Sequence, residues 1–232
     1  RLATPSIGTP ESIAQIELGD IKEFIENSLN LENMFIVLGG DIALERVKFD
    51  RLADVLKVGE ARELSPVEVS IEQREEIISR PSQQAYIYFG SPLKFALEDR
   101  YKLSVAMFIL GSSGFGSRLM EEIRVKRGLA YSVYCSANLN LSYNSMSGYL
   151  QTKNENKDKA IHLIKSQIAK FVKKGVTQKE LNAARNFLLG SEPLRKETMF
   201  KRLAIAQKEY YQGYDLGEFD LNLERIKSLK QK

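Results

Sequence analysis

Two side chains in this sequence could act on a carbonyl group. Arg124 and Tyr131 stand seven positions apart, the arginine beside an apolar stripe of Leu119, Met120 and Ile123 and the tyrosine just past Gly128. A guanidinium and a phenol both donate hydrogen bonds, and donors aimed at one oxygen stabilise a developing oxyanion. The plainer alternative is a surface pair of Arg124 with Glu121 and a half-buried strand tyrosine, and residue types alone favour it. His162 and Cys135 are the one histidine and one cysteine. Zinc takes three or four ligands from one chain, so no metal ligand is read here. The glycine-rich run Gly111–Ser117 has Arg118 where a phosphate-binding loop would need lysine, and helical rather than strand residues precede it. It reads as a tight connection between helices. The lysines between Lys157 and Lys174 have no interleaved aromatics, so a solvated face is expected and no nucleic acid partner.

The 232 residues carry 34 basic and 30 acidic side chains, a net charge of +4 with the signs interspersed. A hydrophobic share of 43% is enough for one large or two small cores. A single cysteine rules out an internal disulfide and leaves periplasmic and cytoplasmic placements open. There is no run of 18 apolar residues, so no membrane-spanning helix is expected. The opening Arg1-Leu2-Ala3-Thr4 reads like the interior of a longer protein, with any targeting segment upstream.

The elements that position these groups follow from periodicity. A helix is expected over about Ser12–Asn27, a buried strand over Met34–Leu38, and a further helix from Asp41 with Leu44, Val47, Leu52 and Val55 at core spacing. Residues 61–83 read as a linker and edge segment. Gln84–Gly90 alternates as a strand, and helices are expected over about Phe95–Leu110 and Ser117–Arg127, the latter stopped by Gly128. From Tyr131 to Asn140 the alternation is the clearest in the chain, with Tyr143–Thr152 as hairpin partner. Helices follow over Lys157–Lys174, after the capping box Thr177–Glu180, and over about Thr198–Gln212 and Leu216–Leu229. Strands first and helices after them predict an α+β fold, helices on one face of a largely antiparallel sheet.

The stretch from Gly114 to Tyr134, with Ser117-Arg-Leu-Met-Glu-Glu-Ile-Arg124 and Lys126-Arg-Gly-Leu-Ala-Tyr-Ser-Val133, resembles the insulinase/pitrilysin family of zinc metallopeptidases, the inverzincins. Further matches are Gly8-Thr-Pro-Glu-Ser-Ile13, Gly39-Gly-Asp41 and Val176–Arg185. The resemblance places the chain in the second half of such proteins. It implies that zinc and its H-x-x-E-H motif belong to the first half, absent here. It implies that Arg124 and Tyr131 bind the carbonyl of a peptide substrate whose attacking water is activated by that zinc. Expected partners are a peptide and an N-terminal zinc-binding half or partner subunit, with a homodimer left open; the isolated chain is expected to be inactive. A non-catalytic or structural subunit of a heterodimer is the alternative. Residues 1–60 would close a preceding α+β unit and 84–232 would form a second, truncated at its C-terminus, with strand 34–38 a candidate to complete the second sheet, within or between chains.

Overall fold

Glycines and caps set the element boundaries in a computed structural model that describes residues 6–231. Contacts divide these residues into one unit up to Leu64 and another from Ser65.

The first unit holds three short helices: α1 (Pro10–Ala14), α2 (Leu18–Ser28) and α3 (Asp50–Val55). One helix was expected where α1 and α2 stand. Glu17 caps a new start instead, its backbone N–H bonded to Asp20 at 2.9 Å, so the local capping interaction outweighs continuous periodicity. The strand expected at Met34–Leu38 does not form. The segment takes part in no sheet, because no strand lies alongside to satisfy its backbone. Nor does a helix start at Asp41: a turn at Leu44–Arg46 ends in extended Val47, and helix resumes only at Asp50. The unit is held by polar bonds. Asn30 is buried and accepts from the backbone and side chain of Asn33, which in turn grips the backbone of Glu60 and Arg62. Among the described residues of this unit no apolar side chain is buried.

The second unit is the α+β body. Strands β1 (Gln84–Pro92), β2 (Ala130–Leu139) and β3 (Asn144–Lys153) form an antiparallel sheet in the order β1-β3-β2. Among the described residues the sheet is built wholly from these strands, so residues 34–38 do not complete it within the chain. One face is apolar: Val133, Cys135 and Leu150 are fully buried against Leu119 and Ile123. Helix α4 (Arg100–Met107) and α6 (Lys157–Lys174) pack on that face, and α7 (Gln178–Gly190) joins a second core of Val105, Ile109, Leu181, Leu188 and Ile226. Helices α8 (Glu192–Lys196), α9 (Met199–Tyr211) and α10 (Glu218–Ser228) complete the chain.

Two of the expected helices are shorter and wider than their periodicity implies. Helix α4 runs into a π-helical turn at Phe108–Ser112, and α5 (Arg118–Met120) into another at Glu121–Val125. Gly111 lies where the first turn meets β2: a Cβ there would stand 2.6 Å from Cys135 Sγ.

Arg118 clamps this region. Its Nε and Nη2 donate to the two Glu180 oxygens at 2.5 and 2.7 Å, Nη2 also bonds Gly175 O, and the guanidinium lies 5.0 Å over the Phe171 ring. Glu180 also closes the capping box with Thr177. The arginine first, then the Thr177 bonds, hold its carboxyl at about 2, against 4.5 when free. A carboxyl lowered in the folded state supplies stability above the unfolded value and loses it as pH falls through the folded one. Arg118→Ala should therefore destabilise the protein at pH 7 by on the order of 2 kcal/mol. The gap to the parent should narrow as pH falls from 4.5 towards 2, read by chemical denaturation at each pH. A gap independent of pH would contradict this assignment.

Candidate functional site

The helical block after the glycine-rich turn carries four cations, and the structure assigns them differently. Arg118 is committed to Glu180. Lys126 and Arg127 both bind Glu122, at 2.5 and 2.7 Å, and hold its carboxyl below the usual range. Arg124 has no carboxylate or hydrogen-bond partner among the described residues; the pair with Glu121 is not formed. Its Cζ instead lies 4.6 Å over the Phe115 ring and 4.5 Å over the Tyr131 ring. An aromatic face holds a guanidinium through its π cloud and leaves the in-plane N–H donors free.

Local structure brings the three side chains together. Ser117 donates to Gly114 O and caps the helix at Met120, which folds the turn so that Phe115 projects from it. Gly114 and Gly116 both have positive φ, which a side chain would oppose. Leu119 and Ile123 face the core, so Arg124 comes out at its rim. The π turn closes with Lys126 N–H on Glu121 O, then Gly128 at positive φ bonds Arg124 O and ends the helix. The chain enters β2 at once, and the register shifts between Ala130 and Val133, so that Tyr131 and Ser132 sit where β3 has only Gln151. This bulge turns Tyr131 outward, and it is 82% exposed rather than half-buried.

The remaining chemical groups are silent. His162 is exposed on α6. Cys135 is sealed in the core, where burial pushes its thiol up to about 11 and keeps it protonated. Among the described residues no three His, Cys, Asp or Glu side chains converge as a metal would need. The donors present, an exposed His162 and a sealed Cys135, do not fit zinc. No described helix is long and apolar enough to cross a membrane.

Sequence reasoning did not find Phe115. Its position between two turn glycines is the signal that could have, because an exposed aromatic there has to be held by something outside the turn.

The model of the peptidase M16 inactive domain matches residues 15–188. The chain belongs to the peptidase M16 family, in its inactive domain. A relative from Helicobacter pylori named non-peptidase homolog YmxG is 40% identical across the whole chain and 54% of its own length. A protein from Streptomyces coelicolor named an uncharacterized zinc protease is 26% identical over 84% of this chain and 45% of its own. The chain thus spans about half the length of the curated relatives it matches. The crystal structure of a peptidase M16 inactive domain from Pseudomonas fluorescens shares the fold at a TM-score of 0.83 and 28% identity, over 97% of this chain and 55% of that one. These matches establish the α+β architecture and the family that the sequence resembled.

The M16 domain's rim can be tested directly. Phe115→Ala removes one of the two rings over Arg124 and should cost about 0.5–1 kcal/mol of stability, the worth of an exposed cation–π contact. In an Arg124→Ala background the same change should cost nearly nothing, so a double-mutant cycle by urea denaturation reads the coupling. Equal costs in both backgrounds would show that the rings do not hold the guanidinium.

Proposed function

We propose that this M16 domain is the carbonyl-gripping half of a polypeptide-handling protein, with Arg124 and Tyr131 as the grip. The observation that carries the reading is the Arg124 guanidinium, free of any acid, stacked on Tyr131 at an exposed rim. Arginine so placed offers its N–H edge to a backbone oxygen, and the Tyr131 hydroxyl, without a partner among the described residues, offers a second donor. If the peptide bond is cut, these donors stabilise the tetrahedral oxyanion. Zinc and the groups that activate water then belong to the other half of the protein, outside this chain.

The unit up to Leu64 fits the same reading as the closing part of a preceding α+β unit. Phe24 on its α2 helix, and Met34, Ile36 and Leu38 after it, are apolar side chains that stay exposed. Isolated, such surface is a liability, and the curated relatives extend for about as much chain again beyond the match.

A second reading has a specific observation behind it. The relative at 40% identity is named a non-peptidase homolog. On that reading the whole protein holds polypeptide without cutting it, as a non-catalytic partner of a zinc-bearing subunit or alone.

Both readings require the grip. In the full-length protein, Arg124→Ala should weaken binding of a fluorescein-labelled unstructured peptide at least about tenfold, the loss of one charge-assisted hydrogen bond. Unchanged affinity overturns the proposal. If the parent also hydrolyses that peptide, Tyr131→Phe should lower turnover about a hundredfold, the worth of one oxyanion donor, with zinc content unaltered. Binding without hydrolysis selects the second reading.

A further inference from the structure

The sheet face opposite the helices has a composition that its role in folding does not call for. Register places Tyr88, Tyr149 and Tyr134 in one row across all three strands. The ring centroids of Tyr88 and Tyr134 lie 4.9 and 6.0 Å from that of Tyr149, and Tyr86 adds a fourth ring at 6.5 Å. These are distances at which rings attract one another. Tyr88 is nonetheless 76% exposed. The next row holds only Gly90, Ser147 and Ser136, so the tyrosine ridge borders a shallow trough floored by small residues. On the other side Gln151 accepts from Tyr149 Oη at 3.2 Å and donates to Tyr86 Oη at 3.4 Å. No charged residue stands in these three rows, in a chain that is 28% charged. The first is Lys153, at the end of β3 opposite Gln84.

We infer that this tyrosine face is a docking surface for an extended, uncharged stretch of polypeptide, continuous with the Arg124–Tyr131 grip. The inference rests on the grip reading, and three features carry it. The face is neutral, so a charged side chain laid on it would lose water and find no counter-charge, whereas peptide groups and apolar or hydroxyl side chains would find rings and hydroxyls. Tyrosine with serine and glycine is the composition of antibody loops that bind polypeptide. The rings give rigid contact area at small entropic cost, and the small polar residues adapt to the partner. The face also leads to the grip: Gln151 stands across from the bulge that turns out Tyr131, so a chain lying on the tyrosines reaches Arg124 at its end. Neutrality thus becomes a selection rule for the residues lying on the tyrosine rows, favouring segments without Asp, Glu, Lys or Arg there.

The test uses the full-length protein and three end-blocked, fluorescein-labelled decapeptides read by anisotropy. One is built from Val, Thr, Ser and Leu, one has four of these replaced by Glu, and one has four replaced by Lys. The uncharged peptide should bind at least about tenfold more tightly than either charged one. Tyr88→Ser with Tyr134→Ser should abolish that preference and lower affinity about tenfold, while Tyr88→Phe with Tyr134→Phe retains both. Should the double serine variant fail to unfold cooperatively, Tyr88→Lys alone, at an already exposed position, gives the same readout. Equal binding of all three peptides, or parent-like affinity in the serine variant, overturns the inference. Loss of affinity in Arg124→Ala but not in the serine variant leaves the grip standing without the face. Loss in the serine variant but not in Arg124→Ala leaves the face without the grip, and no binding of any peptide ends both.

Discussion

The second unit depends on burying Leu119 and Ile123 against Val133 and Leu150. All four are fully excluded from solvent, and each such side chain contributes roughly 1.5–3 kcal/mol. The packing has a geometric consequence beyond stability. It fixes the helical block containing Arg124 to the strand that begins beside Tyr131, so both residues must emerge along one rim. The close approach of Gly111 to Cys135 seats the preceding π turn, Phe108–Ser112, against the same strand, since no Cβ fits there. The site is therefore a by-product of core packing, held by residues that do not touch it.

Charge allocation decides what the rim can do. Three of the four cations in the block are neutralised by Glu180 or Glu122. Their donors are taken up within the chain, by these carboxylates and by the backbone carbonyls of Gly175 and Glu122. Arg124 is spared this by being held through its faces, by Phe115 and Tyr131. The rings restrict the guanidinium without consuming its donors, which lowers the entropy lost when an oxygen is bound. The bulge before Val133 and the π turn after Met120 add one residue each to regular elements. Both irregularities fall beside the rim, where elements are bent to aim side chains rather than to maximise ladder bonds.

Much of this was legible in the sequence where local signals and burial agree. The alternation along β2, the Gly128 stop and the Thr177–Glu180 capping box all appear where the residue pattern puts them. The first unit was misread because its apolar run Met34–Leu38 looks like a core strand, and a strand exists only when a neighbour satisfies its backbone. The split between α1 and α2 was hidden for a similar reason: apolar spacing continues through it, while the capping bonds that end one helix and start the next involve Glu17 and Asp20, which periodicity ignores. Phe115 and the tyrosine row escaped because they depend on register and on contacts across elements. Alternation gives each strand two faces without saying which face the helices cover. Only with β3 placed between its partners do Tyr88, Tyr149 and Tyr134 become neighbours.

The two donors at the rim differ in how far this chain organises them. Arg124 is fixed by two rings, whereas the Tyr131 hydroxyl projects into solvent with no partner among the described residues. Catalysis needs donors preorganised for the transition state, because interactions shared equally with the ground state raise affinity and not turnover. A guanidinium held on its faces already suits a ground-state carbonyl; a phenol hydroxyl that no hydrogen bond orients becomes an oxyanion donor only when another surface closes on it. On the proposed reading, gripping is thus a property of this chain, and cutting would require the other half twice over, for its water-activating groups and to fix Tyr131. A lineage that lost the first requirement would keep a working grip. That gives a physical reason for one M16 domain to serve in proteins named zinc proteases and in a non-peptidase homolog alike.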